Sequence, residues 1–252
     1  MEAGWWRDTD DVRRRQFVFG AAATLAAVVS PGRAGAAEAT RFVIGRSVRD
    51  RSIVAHRLGP VDAAEIYLVL GQMHGDERAG VDVARRHLLH LAAPRGVQLW
   101  VIPTMNPDGH ADDRRTNARG VDLNRNFPSR DWVRQNFGTR YYSGPEPMSE
   151  PESLAVKRFL DDLAPRTVIS VHQPLACVDY SGGQPSVTDW LARELELPAR
   201  TLGASGGNLT TWFNDKYDRK TATTLELPPS PTDQYRERVA HTLVRHAAHR
   251  RG

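Results

Sequence analysis

Cysteine is almost absent: Cys177 is the single thiol in 252 residues. That count excludes an intrachain disulfide and any metal site built from several cysteines. Long hydrophobic runs are missing too. The most apolar stretch, Phe17 to Val29, is thirteen residues, too short to cross a bilayer core of roughly 30 Å. No internal repeat, long low-complexity segment or linker divides the chain after its first three dozen residues. The formal net charge is +4 and comes mainly from arginine, but no basic stripe interleaves with aromatics. Nucleic acid is therefore not the expected partner. An apolar content of 40% is ordinary, which argues against disorder and against a multi-span membrane protein.

What is present begins with a targeting segment. Residues 1–36 have a charged start ending in Arg13-Arg14-Arg15-Gln16-Phe17, the short apolar stretch, and then small residues around Ala34 and Ala36. This order of charged, apolar and small-residue regions reads as a cleavable export signal. Arg14-Arg15-x-Phe17 resembles the twin-arginine type, a route that carries folded, cofactor-loaded proteins. The expected division is thus residues 1–36 as signal and 37–252 as one catalytic domain. No membrane span is expected to remain after signal removal. The expected location is outside the cytoplasmic membrane, in periplasm, cell wall or medium.

Residues 37–252 suffice for one α/β domain with a real core. Ile66 to Leu70, Val97 to Ile102 and Thr167 to Val171 are short, β-branched or aromatic runs bounded by polar, Gly or Pro residues, the pattern of buried strands. Ala222 to Leu227 is a weaker fourth. Glu77 to Leu91 has helical periodicity, and Ser149-Glu150-Pro151-Glu152 has the form of a capping box opening a helix through Leu163. Thr232 to Arg250 predicts a closing amphipathic helix. Alternating strands and helices predict a central sheet with helices on both faces. The stretch from Asn106 to Pro147, rich in Asn, Asp, Gly, Arg and Pro, is too long for an ordinary connection and predicts a functional loop.

Four polar groups fall at the carboxyl ends of separate predicted strands: His74 to Glu77, Asn106 to Gly109, His172 and Glu226. That is where open α/β sheets place ligand sites. His74-x-x-Glu77 offers two ligands to one ion, and a third such as His172 leaves one position open, the donor set of a catalytic zinc site. H-x-x-E alone is weak, since most occurrences are helix surface. His87, His90, His241, His246 and His249 read as solvated. Asp76 reads as a turn or supporting residue, and Cys177 as a small buried one.

The surrounding segments are more specific. His74-Gly75-Asp76-Glu77, Asn106-Pro107-Asp108-Gly109, Arg115 to Pro128 (RTNARGVDLNRNFP), Ser149 to Glu152, Ser170-Val171-His172 and Thr224-Leu225-Glu226-Leu227-Pro228 together resemble the zinc carboxypeptidase family, in the family's order and across most of the mature chain. The short length and the run from His172 to Cys177 (HQPLAC) resemble its murein peptide amidase branch, whose members release diaminopimelate from the γ-D-glutamyl bond of cell-wall peptides. Gln173 stands where those amidases often carry an acid.

The resemblance implies a single-domain carboxypeptidase-like fold with a mixed sheet and one Zn2+ held by His74, Glu77 and His172. It implies Glu226 as general base and Arg115 as the cation that polarises the scissile carbonyl, with the adjacent Arg114 as the alternative. Asn124 and Arg125 would grip the substrate's terminal carboxylate. The expected partner is an acidic, murein-derived peptide. The chemistry agrees, since water activated by a metal needs a nearby carboxylate to take its proton and guanidinium pairs bidentately with carboxylate. The family's substrate-covering tyrosine has no aligned counterpart, Tyr217 being the candidate. Three other readings stand beside this one: a carboxypeptidase for ordinary peptides, an N-acyl amino acid deacylase sharing the H-x-x-E site, and a wall-binding module without turnover.

Overall fold

The computed structural model describes residues 39–180, 182–203 and 206–249. The segment read as an export signal lies outside the described residues. Eight strands form one mixed sheet in the order β1-β2-β4-β3-β5-β8-β6-β7. Its centre is β3 (Glu65–Leu70), β4 (Val97–Ile102), β5 (Thr167–His172) and β8 (Thr221–Glu226), joined by parallel pairings. These are the four strands visible in the sequence. They lie in the middle of the sheet with both faces covered, so they read as nearly continuous apolar runs.

The flanking strands differ. β1 (Thr40–Arg46) and β2 (Ser52–Leu58) pair antiparallel with each other, and β2 pairs antiparallel with β4. Their burial alternates along much of each strand, as expected at an edge with one solvated face. At the other edge β6 (Cys177–Asp179) runs antiparallel to β8, and β7 (Ala199–Arg200) pairs with β6.

Helices cover both faces, and each face has its own core. One cluster joins Val69, Val101 and Val171 to the helical segment after β3, to α4 (Pro185–Leu195) and to α6 (Asp233–His249). The other joins Leu68, Trp100 and Val168 to α3 (Pro151–Leu163) and α5 (Leu209–Lys216). Each fully buried Leu, Val or Phe stabilises the fold by roughly 1.5–3 kcal/mol. Among the described residues no helix is long and apolar enough to cross a membrane.

Three local expectations change. The helix predicted from Glu77 to Leu91 is a short α1 (Ala79–Asp82), a π-helical turn at Val83–His87 and a 3-10 turn at Leu88–His90. The Leu88 amide reaches back to the Val83 carbonyl, and this widened turn keeps Val83, Ala84 and Leu88 all in the core. The capping box before α3 does not form. Glu150 makes no side-chain cap, Ser149 Oγ bonds Asn126 and Glu150, and Glu152 accepts from the Val48 amide and Asn117. Its polar groups hold the neighbouring loop instead of the helix end. His246 is buried rather than solvated, with Nδ1 2.9 Å from the Tyr67 hydroxyl.

Candidate active site

The sheet order reverses at β3, whose neighbours are β4 and β5, and such a switch point opens a crevice beyond the strand carboxyl ends. His74 and Glu77 follow β3, while His172 ends β5 in register with Glu226 at the end of β8. All four line one cavity of about 320 Å3, together with Arg115, Asn124 and Arg125. The seven residues singled out in the sequence are therefore brought together.

The loop from Asn106 to Pro147 builds one wall, and its polar residues do structural work there. Asn106 caps α2 (Pro107–Asp112) through the Gly109 amide and ties the Met73 and Arg115 carbonyls with its own amide. Asn117 accepts from the Arg119 and Val121 amides while donating to Glu150 and Glu152. Gly75 is required by contact, because a Cβ there would lie 2.0 Å from the Gly109 carbonyl carbon. Gly109 is required by different neighbours, since a Cβ there would lie 2.4 Å from Asn106 Nδ2 and 2.6 Å from the Thr116 carbonyl oxygen.

His74, Glu77 and His172 are buried, and their donor atoms lie within 4.8 Å of one another. His74 Nδ1 is 2.7 Å from Glu77 Oε1, His172 Nδ1 is 3.0 Å from Glu77 Oε2, and the two Nδ1 atoms are 3.2 Å apart. Ligands held about 2.0–2.1 Å from a tetrahedral zinc would be about 3.3 Å apart, so these separations suit a shared cation. The outer imidazole nitrogens are also engaged. His74 Nε2 is 3.1 Å from Asp122 Oδ1, and His172 Nε2 is 3.0 Å from Ser170 Oγ. Such outer bonds fix the ring orientation of metal-binding histidines. The residues present thus fit a zinc ion.

The electrostatics are those of a pocket rich in buried negative charge. Burial disfavours the charged His74 ring, but Glu77 and Asp122 outweigh it and raise its pKa to about 9. Burial pushes Glu77 upward, yet His74 and His172 hold it well below the usual carboxylate range. Asp122 is held down likewise, by His74 and Arg115 against its burial. Two buried carboxylates demand positive charge at this point. Glu226 behaves differently: burial raises its pKa against the pull of His172, with Glu77 adding to the rise. Its Oε2 accepts a 3.3 Å bond from the Leu175 amide.

Asp122 is the residue that sequence reasoning passed over. Fully buried, it receives Arg115 Nε and Nη2 on Oδ2 at 3.0 and 2.9 Å and the Asn124 amide on Oδ1. Arg115 Nη1 then sits 3.2 Å from His74 Nδ1 and 3.4 Å from Glu77 Oε1. The adjacent Arg114 turns away to Thr116 and the Asn117 carbonyl. Asn124 Oδ1 accepts from the Leu209 amide, and the Arg125 guanidinium lies 5.4 Å from the centre of the Tyr141 ring. Tyr141 also faces Arg115 at 5.5 Å and lines the cavity. Tyr217 does not line the cavity; its hydroxyl donates to Asp161, away from the metal ligands. Cys177 is buried, and burial raises its pKa, so it is no nucleophile.

This site, on this sheet, defines a metallopeptidase, and the chain belongs to the zinc carboxypeptidase family, whose model matches residues 36–189. Among individual proteins it is 32% identical to murein peptide amidase A of Escherichia coli K12 over 225 residues, covering 82% of this chain and 91% of that one. Murein peptide amidase A of Vibrio campbellii is 32% identical over 183 residues, 66% of this chain and 71% of that protein. In structure it is similar to the murein-tripeptide amidase of Escherichia coli O157 (TM-score 0.69, 28% identity, 82% and 91% covered). The carboxypeptidase A of Helicoverpa armigera shares the fold (TM-score 0.71, 18% identity, 86% and 70% covered).

Proposed function

We propose that this chain is an exported zinc hydrolase that cleaves the γ-D-glutamyl-diaminopimelate amide of murein peptides. The observation that carries the reading is the convergence of His74, Glu77, His172, Glu226, Arg115 and Arg125 on one cavity. The likeness to murein peptide amidases along 82% of the chain supports the choice of substrate.

In this reading His74, Glu77 and His172 hold one Zn2+, which when bound supplies a Lewis acid and acidifies water. Glu226, whose pKa is raised by burial, takes the proton from the attacking water and passes it to the leaving amine. Arg115 is always charged and is aimed by Asp122; it stabilises the negative charge that grows on the scissile carbonyl oxygen. Asn124 and Arg125 bind the substrate's terminal carboxylate. Residues 1–36 are proposed to direct export by the twin-arginine route, leaving 37–252 as the mature catalytic domain in periplasm, cell wall or medium.

The deciding experiment is hydrolysis of L-Ala-γ-D-Glu-diaminopimelate by the mature chain, with and without a chelator. Chelator-sensitive release of free diaminopimelate is expected. No release from folded, zinc-loaded protein would refute the substrate, and cleavage of ordinary C-terminal L-peptides would support the general carboxypeptidase reading. Export is checked by fractionation: Arg14→Lys with Arg15→Lys should keep the protein in the cytoplasm, and unchanged export would refute the route.

A further inference from the structure

Arg115, Arg125 and Arg140 line the cavity as cations, and the reaction so far uses two of them. Arg115 serves the scissile carbonyl and Arg125 the terminal carboxylate, while Arg140 has no role. All three crowd round one ring: the guanidinium carbons of Arg125, Arg115 and Arg140 lie 5.4, 5.5 and 5.8 Å from the centre of Tyr141. The negative face of an aromatic ring attracts cations, so Tyr141 gathers guanidinium groups that would otherwise repel one another. Arg115 is held by Asp122 at 2.9 Å. Arg140 faces the ring and, among the described residues, pairs with no carboxylate. Exposure puts the three in order. Arg125 and Arg115 are partly buried, whereas Arg140 is exposed. A peptide entering with its terminal residue first therefore meets Arg125 and Arg115 inside and keeps its acyl portion near Arg140 at the mouth.

We infer that Arg140 determines specificity by binding a second carboxylate of the substrate, one carried on the acyl side of the scissile bond. This rests on the proposed amidase reading and deepens it. A γ-D-glutamyl linkage uses the side-chain carbonyl of glutamate. Its α-carboxylate therefore stays free, a short carbon chain away from the carbonyl that Arg115 polarises. A guanidinium receives such a carboxylate through two parallel bonds. Amidation of that acid removes the charge and turns one acceptor into a donor, which the guanidinium cannot accept, while hardly changing the volume. Arg140 thereby distinguishes peptides whose glutamate is a free acid from those in which it is amidated. A charged pair at an exposed position is worth less than an enclosed one, which puts the preference at about 5- to 10-fold in kcat/KM.

The test compares L-Ala-γ-D-Glu-diaminopimelate with its α-amide, L-Ala-γ-D-isoglutaminyl-diaminopimelate, for the zinc-loaded wild type, Arg140→Gln and Arg140→Glu. The wild type should prefer the free acid by about 5- to 10-fold in kcat/KM, chiefly through KM. Arg140→Gln should bring that ratio near one by lowering the rate on the free acid, with zinc content and melting temperature as in the wild type. Arg140→Glu repels the acid and should turn the preference over in favour of the amide. Because a charge at the mouth is screened by salt, the wild-type preference should shrink as ionic strength rises. A preference that survives Arg140→Gln, an equal loss on both peptides, or an Arg140→Glu variant that still favours the acid would overturn the inference. The two proposals fail in different ways. If the wild type releases diaminopimelate equally well from both peptides, the Arg140 assignment fails and the murein reading stands. If folded, zinc-loaded protein cleaves neither, the murein reading fails and the assignment falls with it.

Discussion

The sharpest prediction concerns Asp122, which does not itself line the cavity but bonds two residues that do, Arg115 and Asn124, and the proposed metal ligand His74. Asp122→Asn changes no volume to speak of but removes one buried charge. In the wild type Oδ1 faces His74 Nε2 and the Asn124 amide, while Oδ2 takes two bonds from Arg115. An asparagine can keep its oxygen towards His74 or towards Arg115, not both; whichever side receives the amide NH2 meets donors. Losing a partner behind a metal-binding histidine costs about 10- to 100-fold in metal affinity, about 1.4–2.7 kcal/mol. Loss of a preorganised donor to the developing oxyanion costs about 100- to 1,000-fold in kcat. Zinc affinity is measured by competition with a chromophoric chelator, and kcat at saturating zinc. The expectation is a fall in at least one of these by the stated factor, with both reduced if the amide populates both orientations. A variant that holds zinc as tightly as the wild type and turns over normally would refute the role given to Asp122 and weaken that of Arg115.

The remaining predictions are shorter. Glu226→Gln should reduce kcat by at least about 100-fold while retaining zinc in a metal assay; normal turnover would sink the general-base assignment. Gly75→Ala should lower stability by about 1–3 kcal/mol in urea unfolding, because its Cβ would overlap the Gly109 carbonyl. Zinc removal from the intact protein should lower the melting temperature, since an ion that binds the folded state alone stabilises it by mass action. An identical melting temperature in chelator and in excess zinc would contradict metal binding at the buried trio.

How much of this was legible beforehand depends on what each element faces. β3, β4, β5 and β8 are enclosed on both faces, so they announce themselves as apolar runs. β1 and β2 put much of one face in water; their Arg41, Arg46, His56 and Arg57 break the pattern, and neither was marked. The site residues were legible because each follows a visible strand, and because the motif segments are specific to one family. Asp122 was hidden in a quoted segment since one aspartate among Asn, Arg and Asp shows no outward sign of burial. The signal was its place between Val121 and Leu123, both buried. Arg140 and Tyr141 were missed for a different reason: they reach the cavity from a loop, and only the tertiary arrangement puts them there. Tyr217 failed as the substrate-covering tyrosine because its hydroxyl is spent on Asp161.

Gln173 shows how such a site keeps its dimensions. Its own amide donates to Glu77 Oε2, its side-chain oxygen receives the Ala79 amide, and its side-chain nitrogen reaches the carbonyls of Pro228 and Pro229. One uncharged residue thereby fastens the turn carrying Glu77 to the chain just beyond Glu226. The glutamine bridges the ligand side and the base side as a spacer does, beside the β5–β8 pairing that holds His172 in register with Glu226. An acid in that place would surrender the two bonds to the proline carbonyls, and asparagine would fall one methylene short. Either change would slacken the clamp without any residue of the machinery itself having changed.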